Sequence, residues 1–103
     1  MTVDKFGMYA KFTAKPGVRD QLVGILLEAA AGAESDPGCE LYVVNVSETE
    51  PDTVWVTEVW SNAEAHEASL QDDTTRAMIQ RAMPLNAGVE SIPIRPVGGK
   101  GIK

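Results

Sequence analysis

The chain is poor in the residues that bind metals or cross-link small folds. It holds one cysteine and one histidine in 103 residues. An internal disulfide is therefore ruled out, and so is a structural zinc site, which draws on several Cys and His ligands. Cations are also few: nine Lys and Arg against fifteen Asp and Glu leave a net charge of −6. That sign, with the basic residues scattered along the chain, is wrong for binding a phosphate backbone, so no nucleic-acid partner is expected. Long apolar runs are missing. Ile25-Leu26-Leu27 and Ala29-Ala30-Ala31 fall far short of the ~20 residues of a membrane span, and Met1 to Phe6 lacks the apolar run of a signal peptide. The expectation is a soluble, cytoplasmic protein with no membrane partner. It forms one domain over residues 1–103, with a core at about 5–97 and a flexible tail at 98–103.

The apolar pattern alternates between two periods. Phe6, Met8, Ala10 and Phe12 point one way and Tyr9, Lys11 and Thr13 the other, which predicts a strand over residues 5–14. After Lys15-Pro16-Gly17 the period becomes helical, with Val18, Leu22, Ile25, Leu26, Ala29 and Ala33 on one face. Asp36-Pro37-Gly38 stops that helix. Two strands follow, Cys39–Val46 and Thr53–Trp60, around a polar loop. Ser61-Asn62 then offers a cap for a second helix reaching about Met83, with Asp72-Asp73-Thr74-Thr75 a weak point where it divides into two. A last strand at Val89–Val97 carries two prolines and belongs near an edge. The order β-α-β-β-α-β predicts an α+β, ferredoxin-like protomer: a four-stranded antiparallel sheet with two helices on one face.

The strands are apolar on both faces. Val54, Val56 and Trp60 share one face with Glu58, while Trp55, Thr57 and Val59 take the other; Leu41 and Val43 oppose Tyr42, Val44 and Val46. Two helices cover only one side. A second copy is the simplest cover for the other, so a homodimer through the sheet face is expected.

Few residues carry obvious chemistry. There is no Gly-x-Ser-x-Gly, and Gly98-Gly99-Lys100-Gly101 has no helix after it to make a phosphate loop. His66 is the one side chain that titrates near neutrality unaided. On a continuous helix it shares a face with Leu70, Ala77 and Arg81; the plainer reading is a surface histidine between Glu64 and Glu67. Glu58 in its apolar strand must find a partner or shift its pKa. It suits an acid/base role, although a structural pairing with Lys11 or Arg95 is the simpler expectation. Trp55 and Trp60 could stack on a planar ligand or simply pack the core. Cys39 reads as a small core residue.

Several short pieces in sequence order carry a resemblance. Lys15-Pro16-Gly17, Asp36-Pro37-Gly38-Cys39, Tyr42, Glu58-Val59-Trp60-Ser61 and Asn62-Ala63-Glu64-Ala65-His66 together resemble the antibiotic biosynthesis monooxygenase domain, over roughly residues 5–97. The resemblance implies a dimeric α+β barrel and oxygenation of an aromatic quinol or anthrone by molecular oxygen without a cofactor. It makes Trp60 a pocket-lining residue; Tyr9 and Glu58 are further candidates for contact with the substrate. His66 matches a helical position held by Tyr in an anthrone-oxidising member and would accept or relay the proton. Arg81 falls near a pocket Arg and would steady the oxyanion. Ser69 stands where many members carry a His. No Asn among Met8, Tyr9 and Ala10 matches that of the haem-degrading branch, so haem degradation is not expected. Two alternatives use the same barrel: a non-catalytic protein holding a small apolar metabolite, and an isomerase-type relative.

Overall fold

The computed structural model describes residues 4–102; Met1–Val3 of the N-terminal stretch and Lys103 of the expected tail lie outside the described residues. The elements are β1 (Phe6–Ala14), α1 (Arg19–Ala33), β2 (Cys39–Val46), β3 (Thr53–Trp60), α2 (Ala63–Gln71), α3 (Asp73–Ala82), a 3₁₀ turn (Met83–Leu85) and β4 (Asn86–Ile94). The four strands form one antiparallel sheet in the order β2-β3-β1-β4. This is the ferredoxin-like α+β arrangement expected from the strand and helix order.

Strand alternation decides what each face presents. In register, Met8 opposes Glu58, Ala10 opposes Val56 and Phe12 opposes Val54, while Tyr42 and Val44 flank Glu58 and Val56 from β2. This face meets the helices. Leu22, Ile25 and Leu26 of α1 bury into it with Ala10, Ala14, Val54 and Val56. At about 25 cal/mol per Å² of apolar surface removed from water, these contacts are the main favourable contribution to folding. The opposite face stays open: Tyr9, Leu41, Val43 and Ile92 are 41–50% exposed.

The division expected in the second helix is present, and the last strand is shifted along the chain. The second helix is divided into α2 and α3 at Asp72, which takes an extended conformation (ψ 134°) and caps α3 by accepting from the Thr75 amide at 3.2 Å. A helix-stop and a helix-start side chain thus coincide in one residue. Strand β4 begins at Asn86 rather than Val89, because a bulge beside Ala14 lets the chain pair as soon as the 3₁₀ turn ends. Pro93 is tolerated inside β4 because that strand lies at the sheet edge.

One junction holds the elements that carry the cavity. Asp36 Oδ1 accepts from the Gly38 amide at 2.9 Å, and the Gly38 carbonyl accepts from the Ser61 amide at 2.8 Å. A Cβ on Gly38 would come within 2.8 Å of the Ala65 Cβ on α2. Glycine is needed here for close approach rather than for an unusual φ. Gly38→Ala is expected to destabilise the protein by about 1–3 kcal/mol in urea unfolding. Adding Ala65→Gly to that variant should recover part of the loss, and simple additivity of the two changes would contradict the contact.

Candidate functional site

Between the sheet and the helices lies a cavity of about 1230 Å³. Its floor is Met8, Ala10 and Phe12 of β1, and Leu26 of α1 and Met78 of α3 form part of its roof. Ligand pockets commonly run to ~300–1,000 Å³, so this one has room for a polycyclic molecule. Most of the wall is apolar. Glu58, Trp60 and His66 meet at the end where β3 gives way to α2.

There the period of two on β3 turns both Glu58 and Trp60 inward. They are 8% and 4% exposed, respectively. The Trp60 indole N–H donates to Glu58 Oε1 at 3.0 Å. Asn62 caps α2 by accepting from the Ala65 amide at 2.8 Å, and the helix it starts carries His66 back over the end of the sheet. The His66 imidazole is only 13% exposed, with Nε2 3.9 Å from the same Glu58 Oε1. Phe6 stacks on the imidazole at 4.7 Å between centroids, and Trp60 meets it edge-on at 5.6 Å. The flanking Glu64 and Glu67 do not make His66 a surface residue, because the cap at Asn62 sets the helix phase that turns it inward.

Burial pushes the Glu58 carboxyl above its ordinary value of 4.5; the Trp60 hydrogen bond and the nearby His66 oppose that shift without cancelling it. Tyr42, next to Glu58 in the register, is also pushed up, first by burial and then by the Glu58 charge. Burial and the same carboxylate raise Cys39 to about 11, which leaves its thiol protonated and unreactive at neutral pH.

The structure therefore brings Trp60, Glu58 and His66 together. The expected pairing of Glu58 with Lys11 or Arg95 is not made. Lys11 lies on the opposite face, 4.0 Å from Glu50 and over the Trp55 ring, because its odd position in β1 points it away. Tyr9 is corrected for the same reason: it is 42% exposed on the open face and does not line the cavity. Arg81 lines the cavity mouth, where its two terminal nitrogens donate to Glu28 at 3.0 and 2.9 Å. The break at Asp72 removes the continuous helix that would have set Arg81 in phase with His66.

Two cavity residues were not singled out as site residues. Tyr42 was legible from strand parity, since it shares the Glu58 face. Asn86 was not, because its strand begins earlier than its sequence suggests. Its Oδ1 is buried with no hydrogen-bond partner. Among the described residues, no group of three or more His, Cys, Asp or Glu is placed to hold a metal ion, and no helix is long and apolar enough to cross a membrane.

Residues 6–81 match the antibiotic biosynthesis monooxygenase family. A solved structure of a candidate antibiotic biosynthesis monooxygenase from Chloroflexus aurantiacus J-10-fl is 43% identical. The match covers 96% of this chain and 99% of that one, with a TM-score of 0.86. A second candidate from Caulobacter crescentus CB15 shares the fold at 22% identity, covering 94% and 93% of the two chains with a TM-score of 0.88. SnoaB, a cofactor-independent oxygenase from Streptomyces nogalater, shares it at 14% identity, covering 94% and 97% with a TM-score of 0.83. No curated protein matches the chain.

The raised Glu58 pKa has a consequence for stability. The folded state holds this proton more tightly than the unfolded chain, so the contribution is fully present below 4.5 and lost as pH rises through the folded value. Glu58→Gln keeps an acceptor for the Trp60 indole but cannot ionise. Its melting temperature relative to wild type should therefore climb between acid and neutral pH. Scanning calorimetry across that range checks this, and a difference that stays flat with pH would contradict it.

Proposed function

Because the chain belongs to the antibiotic biosynthesis monooxygenase family, we propose that it oxygenates an aromatic quinol or anthrone with molecular oxygen, without a cofactor, and that it works as a homodimer. The observation that carries this reading is the Trp60–Glu58–His66 chain at one end of a large apolar cavity. His66 is the base. It takes the proton of a bound phenol or activated methylene, with its Nε2 3.9 Å from Glu58 Oε1. Glu58 is the positioning residue, its carboxylate aimed by the Trp60 indole. Trp60 and Met8 give the substrate an apolar wall.

Once deprotonated, the electron-rich ring system supplies electrons to oxygen itself. A carbon–oxygen bond forms, one oxygen atom stays as the new carbonyl, and the other leaves with two hydrogens as water. The protein's part is to hold the substrate dry, accept the proton and stabilise the anion with the imidazolium. The 4.7 Å stack of Phe6 on His66 limits how the ring can turn.

The dimer is supported by the open sheet face, where Tyr9, Leu41, Val43 and Ile92 lie 41–50% exposed on one surface. Sedimentation at micromolar concentration should give twice 11.0 kDa, and a mass of 11.0 kDa would overturn the dimer.

The enzymatic claim is tested by oxygen consumption with a panel of anthrones and quinols. Wild-type protein should accelerate it. His66→Ala should slow turnover by about 10²–10⁴-fold, the usual contribution of a positioned base. Glu58→Gln should retain folding but shift the pH profile of kcat. Binding without turnover across the whole panel would make the protein a carrier instead.

A further inference from the structure

The charges around the cavity are strongly unequal. Among the described residues, four carboxylates line it, those of Glu28, Asp36, Glu58 and Asp72, against one permanently cationic side chain, Arg81. That cation is not free. Both terminal nitrogens of Arg81 are engaged by the two oxygens of Glu28 in a bidentate pair at 3.0 and 2.9 Å, which ties α1 to α3 at the mouth. Asp36 and Asp72 each accept a hydrogen bond from a backbone amide, which holds them in place and leaves their negative charge unneutralised. At the inner end, Glu58 meets only a neutral indole N–H at hydrogen-bond distance, with the imidazole beyond at 3.9 Å. An anionic ligand would pass a net-negative rim and come to rest where no permanent cation is available to it. A protein of net charge −6 adds a long-range field of the same sign.

We infer that this cavity selects electrically neutral ligands and rejects anionic ones of the same size and shape, with Glu28 silencing the permanent cation at its mouth. The inference rests on reading the cavity as the substrate site. It adds the substrate's charge class: uncharged polycyclic phenols and ketones, and neither carboxylates nor phosphate or sulfate esters. It also orders events. The substrate docks with its proton still attached, and ionisation follows docking. Specificity of this kind comes from the repulsive and unpaired alternative as much as from attraction.

The experiment is isothermal titration calorimetry of the full-length protein at neutral pH with 2-naphthol and with 2-naphthoate, its anionic counterpart of similar shape. The naphthol should bind at least about tenfold more tightly than the naphthoate. Glu28→Gln leaves Arg81 without its anionic partner and should narrow that ratio by strengthening naphthoate binding. Circular dichroism confirms that the variant, altered at an exposed position, is folded. Naphthoate binding as tightly as naphthol, or a ratio unmoved by Glu28→Gln, would overturn the charge selection; turnover of an anthrone by the same protein would leave the oxygenase reading standing. If neither probe binds, the cavity reading underneath falls, and the charge selection with it.

Discussion

Glu58 sits in a sheet face that is otherwise apolar, and a carboxyl group cannot be buried there without partners or a change of protonation. Its surroundings answer both needs. Trp60, two residues along the same strand, points to the same side and donates its indole N–H. His66 must come close from a different element, so α2 has to start in a defined phase immediately after β3. Asn62 sets that phase by capping the helix, and Gly38 allows α2 to lie against the start of β2 without a clash. The local details around residues 36–66 are thus constrained by one group that is expensive to bury.

The apolar walls and the polar end work together. A largely apolar wall makes each charge beside it more consequential than the same charge in water, because the surrounding medium screens it poorly. The same condition that raises the Glu58 pKa would also make a proton transfer to His66 create a strongly interacting ion pair. Fold alone does not assign a reaction, since one barrel hosts several chemistries. To the fold the site adds the single histidine, held between Phe6 and Trp60 and facing a carboxylate.

Much of this architecture was legible in the sequence because it depends on local periodicity. The strands, the first helix, the cap at Asn62 and the shared face of Glu58 and Trp60 all follow from spacing and side-chain type. Residues whose roles depend on distant partners were harder to read. His66 between two glutamates looks like a surface residue until the helix is placed against the sheet. Glu58 has cationic candidates elsewhere in the chain, and only the register shows that Lys11 faces away from it. Arg81 matches Glu28, 53 positions earlier in the chain, by a crossing of two helices that no short-range pattern encodes. Tyr9 was assigned to the site against its own strand parity, which was the better guide. Asn86 escaped notice because a bulge moved the start of its strand.

The break at Asp72 divides the roof of the cavity into two parts with different duties. The segment before it carries His66 and is held by Gly38 and Asn62. The segment after it has its own cap and meets α1, the 3₁₀ turn and α2 itself. Side chains of α3 such as Met78 and Ile79 therefore shape the chamber from a helix other than the one that carries His66. His66 and much of the chamber's lining are, in effect, written on separate helices. A lineage built on this fold could explore new ligands through one while keeping the other constant.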